Sequence, residues 1–224
     1  MFASVLVSGL VLGGIYSLVG AGLNLIFGVI KIINFAQGAL LMFGAYLSYW
    51  IVTWLGIDPY LTLPLVVIGM ALLGYAIQTA LINPVLKQER TSQLLITFGI
   101  ALLIQNGALA LWGPDIRFVK SFVGYNTFAF FGIRIGVSAA IAILGAAVII
   151  SLLFIFLNKS KMGTAIRAVS QQSDSALLAG IDVKRVYAIA FAIGSAMVGV
   201  ASVLMIPIYD IFPLMGEQFG VIAF

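Results

Sequence analysis

Apolar residues run down this chain in long blocks broken by short polar stretches, with no strict alternation of apolar and polar positions. Six blocks reach the ~20 residues that a helix needs to cross hydrocarbon, at residues 5–30, 35–54, 61–86, 94–112, 136–157 and 186–208. Backbone groups in a bilayer must be satisfied within their own segment or a closed barrel, and barrel strands alternate, so each block predicts a spanning helix. The fold class is therefore all-α: a polytopic helical membrane protein with about six spans, read as a single transmembrane domain over residues 1–224. The closing stretch YDIFPLMGEQFGVIAF is neither a complete span nor a polar tail, and the expectation is a C-terminally truncated chain that leads into further helices.

The connections sort by charge. Lys31, then Lys87 and Arg90, then Lys159, Lys161, Arg167, Lys184 and Arg185 fall in alternate connections, and the others hold Arg117, Lys120 and Arg134. Basic residues gather on the cytoplasmic side, so this division places residues 158–185 in the cytoplasm, with the loop 113–135 and the N-terminus outside.

Composition narrows the chemistry. Hydrophobic residues make up 63% of the chain and charged ones 8%, against roughly a quarter charged in a soluble domain, so the lipid bilayer is its solvent. Apolar blocks recur down the whole length, so the first is a span rather than a signal peptide. With neither Cys nor His, the chain offers no disulfide, thiol nucleophile, imidazole catalyst or usual zinc site, and no catalytic or metal-binding residue is assigned. The net charge of +4 speaks to topology and does not imply nucleic acid.

The stretch NFAQGALLMFGAY sets Asn34, Gln37, Gly38 and Gly44 into an apolar region. Amides are costly against lipid and Gly weakens a helix, so residues 31–38 read as a break or a helix start. A helix starting at Asn34 would carry a capping side chain and present free N–H groups and a positive dipole end to a carboxylate; a cytoplasmic turn capped by Asn34 explains the same residues. The positions assigned to a substrate pathway are Asn24, Asn34, Gln37, Gly38, Gln105 and Asn106, with an interhelical hydrogen bond as the alternative reading of the span amides Asn24, Gln105 and Asn106. Gln105 and Asn106 point about 100° apart on a helix, so one of them at most is expected on the path. None of these is charged, unlike the centres of gradient-driven carriers. Gly9, Gly13, Ser17 and Ala21 form a stripe of small residues for close helix packing, within one subunit or between two.

The stretch NKSKMGTAIRAVSQQSDSALLAGIDVKRV is amphipathic: Ile166, Val169, Ser173, Leu177 and Ile181 fall near one helical face, and Asp174 can cap a short helix ending at Gly180. A helix on the inner leaflet and a helix docked on a partner both satisfy that pattern.

GLVLGGIYSLVGAGLNLIFGVIKIINFAQGALLMFGAY resembles the N-terminal signature of the branched-chain amino acid (Liv-type) ABC transporter permease family. GTAIRAVSQQSDSALLAGIDVKRVYAIAFAIGSAMVGVASVL is similar to the cytoplasmic loop and following span of the same family. The resemblance implies the membrane subunit of an ATP-driven importer in a prokaryotic inner membrane. Its implied partners are a second permease subunit in a heterodimer, two cytoplasmic ATPases and an external substrate-binding protein. Arg167, Asp174, Ala176, Leu177, Gly180 and Ile181 would then form the ATPase-coupling segment. Many members carry His and an acid where this chain has Gln37 and Ala39. No Gly-rich phosphate loop occurs, so the chain itself is not an enzyme and needs no cofactor; ATP and Mg would belong to the partner ATPase. The implied cargo is a branched-chain or other apolar amino acid. A urea or short-amide permease of the same family, or a gradient-driven secondary carrier, are the competing readings.

Overall fold

The computed structural model describes residues 2–86, 88–123, 127–130 and 133–223. Lys87 of the charge pattern lies outside them. Each predicted span is present: α1 (Phe2–Ile30), α2 (Gln37–Leu55), α3 (Leu63–Ile77), α4 (Arg90–Trp112), then α5 (Val137–Lys159) and, after two short helices, α8 (Val183–Met205). The third crossing is composite. A 3-10 turn at Pro59–Thr62 precedes α3, and a π-helical turn at Gln78–Ile82 and a 3-10 turn at Asn83–Val85 follow it, so the apolar stretch Pro59–Val85 crosses as one unit.

Between α4 and α5 the loop forms a small antiparallel hairpin, β1 (Thr127–Phe130) against β2 (Ile133–Gly136), pairing Thr127 with Gly136 and Phe130 with Ile133. The segment after α5 holds α6 (Lys161–Gln171) and α7 (Ser173–Leu178), and α9 (Met215–Ala223) follows α8. The single amphipathic helical face expected over 166–181 is broken: Gln172 is extended (φ −153°, ψ 104°) and turns α7 away from α6. Ile166 and Val169 are buried, whereas Leu177 is exposed.

The core forms around α8, most of which is buried, with α1, α2 and α3 packed about it. Small residues permit these approaches. A Cβ on Gly22 would lie 2.6 Å from the Gly194 carbonyl, and one on Gly44 2.5 Å from Ser202 Oγ. Ser202 in turn donates to the Leu41 carbonyl at 2.9 Å.

The connections divide between two ends of the bundle. Lys31 and Arg90 flank one cleft at the end that carries α6 and α7. At the hairpin end, Arg117 donates to the Trp112 carbonyl and lies 5.1 and 5.2 Å from the Tyr49 and Trp50 ring centres. Asp58 Oδ2 there accepts from Ser121 Oγ and the Phe122 N–H, which ties the 113–123 loop to the α2–α3 turn.

Candidate functional site

Helix α1 ends at Ile30, and Lys31 closes it with a positive φ of 62°. Residues 32–34 then follow without helical structure and residues 35–36 turn into α2, with Ala36 already at φ −74°, ψ −3°; Ile32, Asn34 and Ala36 are buried, and Lys31, Ile33 and Phe35 are exposed. This segment climbs back into the protein. Gln37 Nε2 donates to the Val19 carbonyl at 3.3 Å, and Val19 stands 11 residues before the end of α1, about 16 Å along its axis. The head of α2 therefore opens within the depth of the membrane, with buried protein on one side.

Irregular backbone survives there only if its polar groups are satisfied. Asn34 Nδ2 donates to Gln37 Oε1 at 3.0 Å, Asn34 Oδ1 accepts from the Ala36 N–H at 3.1 Å, and Thr97 Oγ1 donates to the Ile33 carbonyl at 3.1 Å. The helix starts at Gln37 rather than Asn34, and its N-cap is Ala36, which makes no side-chain cap bond. Asn34 shapes the turn ahead of the helix.

The other side of the α2 head faces a groove of about 490 Å³ lined by Phe35, Gly38, Ala39, Phe98, Leu102 and Gln105 on one flank and by Pro213, Gly216, Glu217 and Gly220 on the other. Helix α9 crosses α2 here backbone to backbone: a Cβ on Gly38 would overlap the Gly216 carbonyl, and one on Gly220 would lie 3.3 Å from Gly38 Cα. Gln105 Nε2 donates to Glu217 Oε1 at 2.9 Å across the groove. A second groove of about 480 Å³ continues from it, sharing Leu102, Gln105, Pro213 and Glu217 and adding Asn106, Leu109 and Phe212. Together they form an apolar trough with two amides, Gln105 and Asn106, and one carboxylate, Glu217, in its wall.

The pathway residues expected from sequence thus separate. Gly38, Gln105 and Asn106 come together on the trough, Asn106 with its amide turned back to the Leu102 carbonyl at 2.8 Å, so adjacent residues both reach it despite their angular separation. Asn34 and Gln37 are buried behind the α2 head. Asn24 stands elsewhere, on an open face of α1 with Gly13 and Ser17. No atom of the described residues lies within 4 Å of a Cβ built on Gly9 or Gly13; the glycine of α1 that meets α5 is Gly14, 3.3 Å from Ala146 Cβ, and Ala21 is half-buried at the edge of the stripe. Glu217 escaped sequence reasoning, because an acid beyond the last complete apolar block carries no sign of its depth.

At the α6–α7 end, Ser160 Oγ caps α6 by accepting from the Gly163 N–H at 2.8 Å, and Arg167 donates to Asn158 Oδ1 at 2.8 Å, which fixes α6 to the end of α5. Helix α7 closes on Gly180 (φ 81°) with Gly180 N–H to the Leu177 carbonyl and Ile181 N–H to the Ala176 carbonyl, the paired bonds of a Schellman turn. Asp174 does not cap α7: the N-cap is Gln172, and Asp174 lies in the first turn, where a negative charge suits the helix dipole. Ala176 is buried and Ile181 packs on the core, so the free apolar edge is Leu177 with Leu178 rather than Leu177 with Ile181. Leu178 is 90% exposed.

The profile of the family described as branched-chain amino acid transport system / permease component matches residues 5–224. The chain belongs to this family. The permease is 31% identical over 236 residues to the high-affinity branched-chain amino acid transport system permease protein LivH of Salmonella typhimurium, covering 100% of this chain and 77% of that protein. It is 30% identical to LivH of Escherichia coli K12 with the same coverage. It is 27% identical to the permease protein BraD of Pseudomonas aeruginosa, over 97% of this chain and 71% of BraD. No solved structure matches the permease significantly.

Proposed function

We propose that this permease is the membrane-spanning subunit of an ATP-driven importer for branched-chain amino acids, set in a prokaryotic plasma membrane with its N-terminus outside. Its partners are a second permease subunit, two cytoplasmic ATPases that hold ATP and Mg, and an external binding protein that delivers the cargo. Family membership over residues 5–224 supports the transport reading. The observation that carries the coupling is α7, a short helix off the ends of the spans that offers Leu177 and Leu178 outward while Ala176 anchors it inward.

The route from that helix to the trough is short. Helix α6 packs on α1, α5 and α8, and α7 on α6 and α8, so a push on α7 reaches α8, and through it α1 and α2. Packed interfaces of this kind shift between discrete arrangements rather than deform continuously, which suits alternating access.

Leu178→Asp tests the docking. Losing a buried Leu anchor costs about 2 kcal/mol, a roughly thirtyfold weaker association. The ATPase should dissociate from the purified permease, with the helical content of the permease unchanged. Co-purification at wild-type stoichiometry, with cargo-stimulated hydrolysis intact, would assign α7 to the membrane surface instead.

A further inference from the structure

Glu217 is the acidic residue that the trough holds, and its setting is specific. It lies in the first turn of α9, where the helix dipole favours negative charge. Oε1 accepts from Gln105 Nε2 at 2.9 Å, which fixes the carboxylate at the junction of the two grooves, since Gln105 and Glu217 line both. Oε2 accepts no hydrogen bond from the described residues. Around it the wall is Phe35, Phe98, Leu102 and Pro213, with the two aromatic rings edge to face at 6.5 Å. The head of α2 at Gly38 and Ala39 closes the same groove, with the positive end of a helix. No group of three or more metal-ligating side chains occurs among the described residues, so the carboxylate is not part of a metal site of that kind.

A carboxylate with a spare oxygen, an apolar wall and a helix head within one groove of about 490 Å³ present a negative, an apolar and a positive surface to one small molecule. Resting on the amino acid reading above, we propose that Glu217, positioned by Gln105, binds the ammonium group of the transported amino acid, with the α2 head facing its carboxylate and Phe35, Phe98 and Leu102 its side chain. The site would then distinguish a zwitterion from a carboxylic acid of the same carbon skeleton, a discrimination that an all-amide path would make poorly. A hydrogen-bonded charge pair can be weak enough for release, and the external binding protein can supply the capture affinity.

The test uses the assembled transporter in proteoliposomes without binding protein. The permease has no cysteine of its own, so Leu102→Cys reports on the groove through its rate of reaction with a small maleimide, and Ala101→Cys is a second reporter in case the first perturbs packing. L-Leucine should slow labelling, and 4-methylpentanoate, which lacks the ammonium, should not. Glu217→Gln should raise the leucine concentration for half-protection about tenfold or more, the scale of one lost hydrogen bond to a charged group, with Glu217→Asp in between. Co-elution with the ATPases shows that each variant still assembles. Equal protection by both compounds, no protection by leucine, or an unchanged half-protection in Glu217→Gln overturns the site. ATP-driven leucine uptake measured with binding protein present separates the two readings: uptake that persists when the labelling pattern fails sinks only the ammonium site, whereas protection as expected without such uptake sinks the importer reading.

Discussion

At the scale of single residues, two glycines of this permease have opposite roles although the sequence presents them alike. Gly38 sits where α9 crosses α2, and a methyl group there meets the Gly216 carbonyl, a backbone atom that cannot rotate away. Gly99 lies mid-α4 with nothing within 4 Å of a built Cβ. Overpacking costs about 1–3 kcal/mol, whereas replacing a helical Gly in open space gains roughly 0.5–1 kcal/mol. Gly38→Ala should therefore lower the thermal midpoint of the detergent-solubilised protein and slow uptake, and Gly99→Ala should raise the midpoint. The pair is checked by thermal unfolding of both variants side by side; equal shifts would mean that α9 does not rest on the α2 head. Composition flagged Gly38 through its neighbours Asn34 and Gln37, but its partner Gly216 comes from far along the chain, and no local pattern links the two.

At the scale of elements, what was legible was helix existence, and what was not was depth and facing. The apolar block at 35–54 gave the second span to within a few residues, since hydropathy reports the solvent of a stretch. It could not show that α2 begins at the level of Val19, because the register between helices is set by a long-range bond from Gln37. The break at Gln172 was hidden for a different reason: neither Gly nor Pro marks it, and an extended Gln leaves no trace in periodicity. The small-residue stripe of α1 identified a face but not a neighbour, and the described residues leave that face open. The α2 break makes a prediction that separates architecture from transport. Gln37→Leu removes the bonds to Val19 and Asn34 within the buried pin, and interhelical bonds in membranes average only ~0.6 kcal/mol, so the expected loss is about 1 kcal/mol, a few degrees at the thermal midpoint. Gln105→Leu, on the half-buried wall of the trough, should leave the midpoint unmoved and weaken uptake. A stable Gln37→Leu together with a destabilised Gln105→Leu would reverse these assignments.

At the scale of the whole molecule, the proposed orientation is argued from where the charges lie in three dimensions. Lys31 and Arg90 flank one cleft, and Lys159, Lys161 and Arg167 belong to the α5–α6 corner at the same end, while Lys184 and Arg185 open α8 beside it. The opposite end keeps Arg117 against Tyr49 and Trp50, and Lys120 near the Phe118 ring. Retention of Lys and Arg on the cytoplasmic side is an insertion rule acting on short loops, and the proposed orientation, with the α6–α7 end inside, rests on it. Single cysteines at Ser175, exposed on α7, and at Phe122, 79% exposed beyond the Asp58 clamp, report the two ends against a cysteine-free background. Ser121, one residue earlier, is buried and would stay silent on either side, so its neighbour is the informative position. On intact cells an impermeant maleimide should label Phe122→Cys and spare Ser175→Cys, and permeabilised cells should label both. Labelling of Ser175→Cys alone on intact cells would turn the chain over, place α7 outside, and remove the ATPase from its reach.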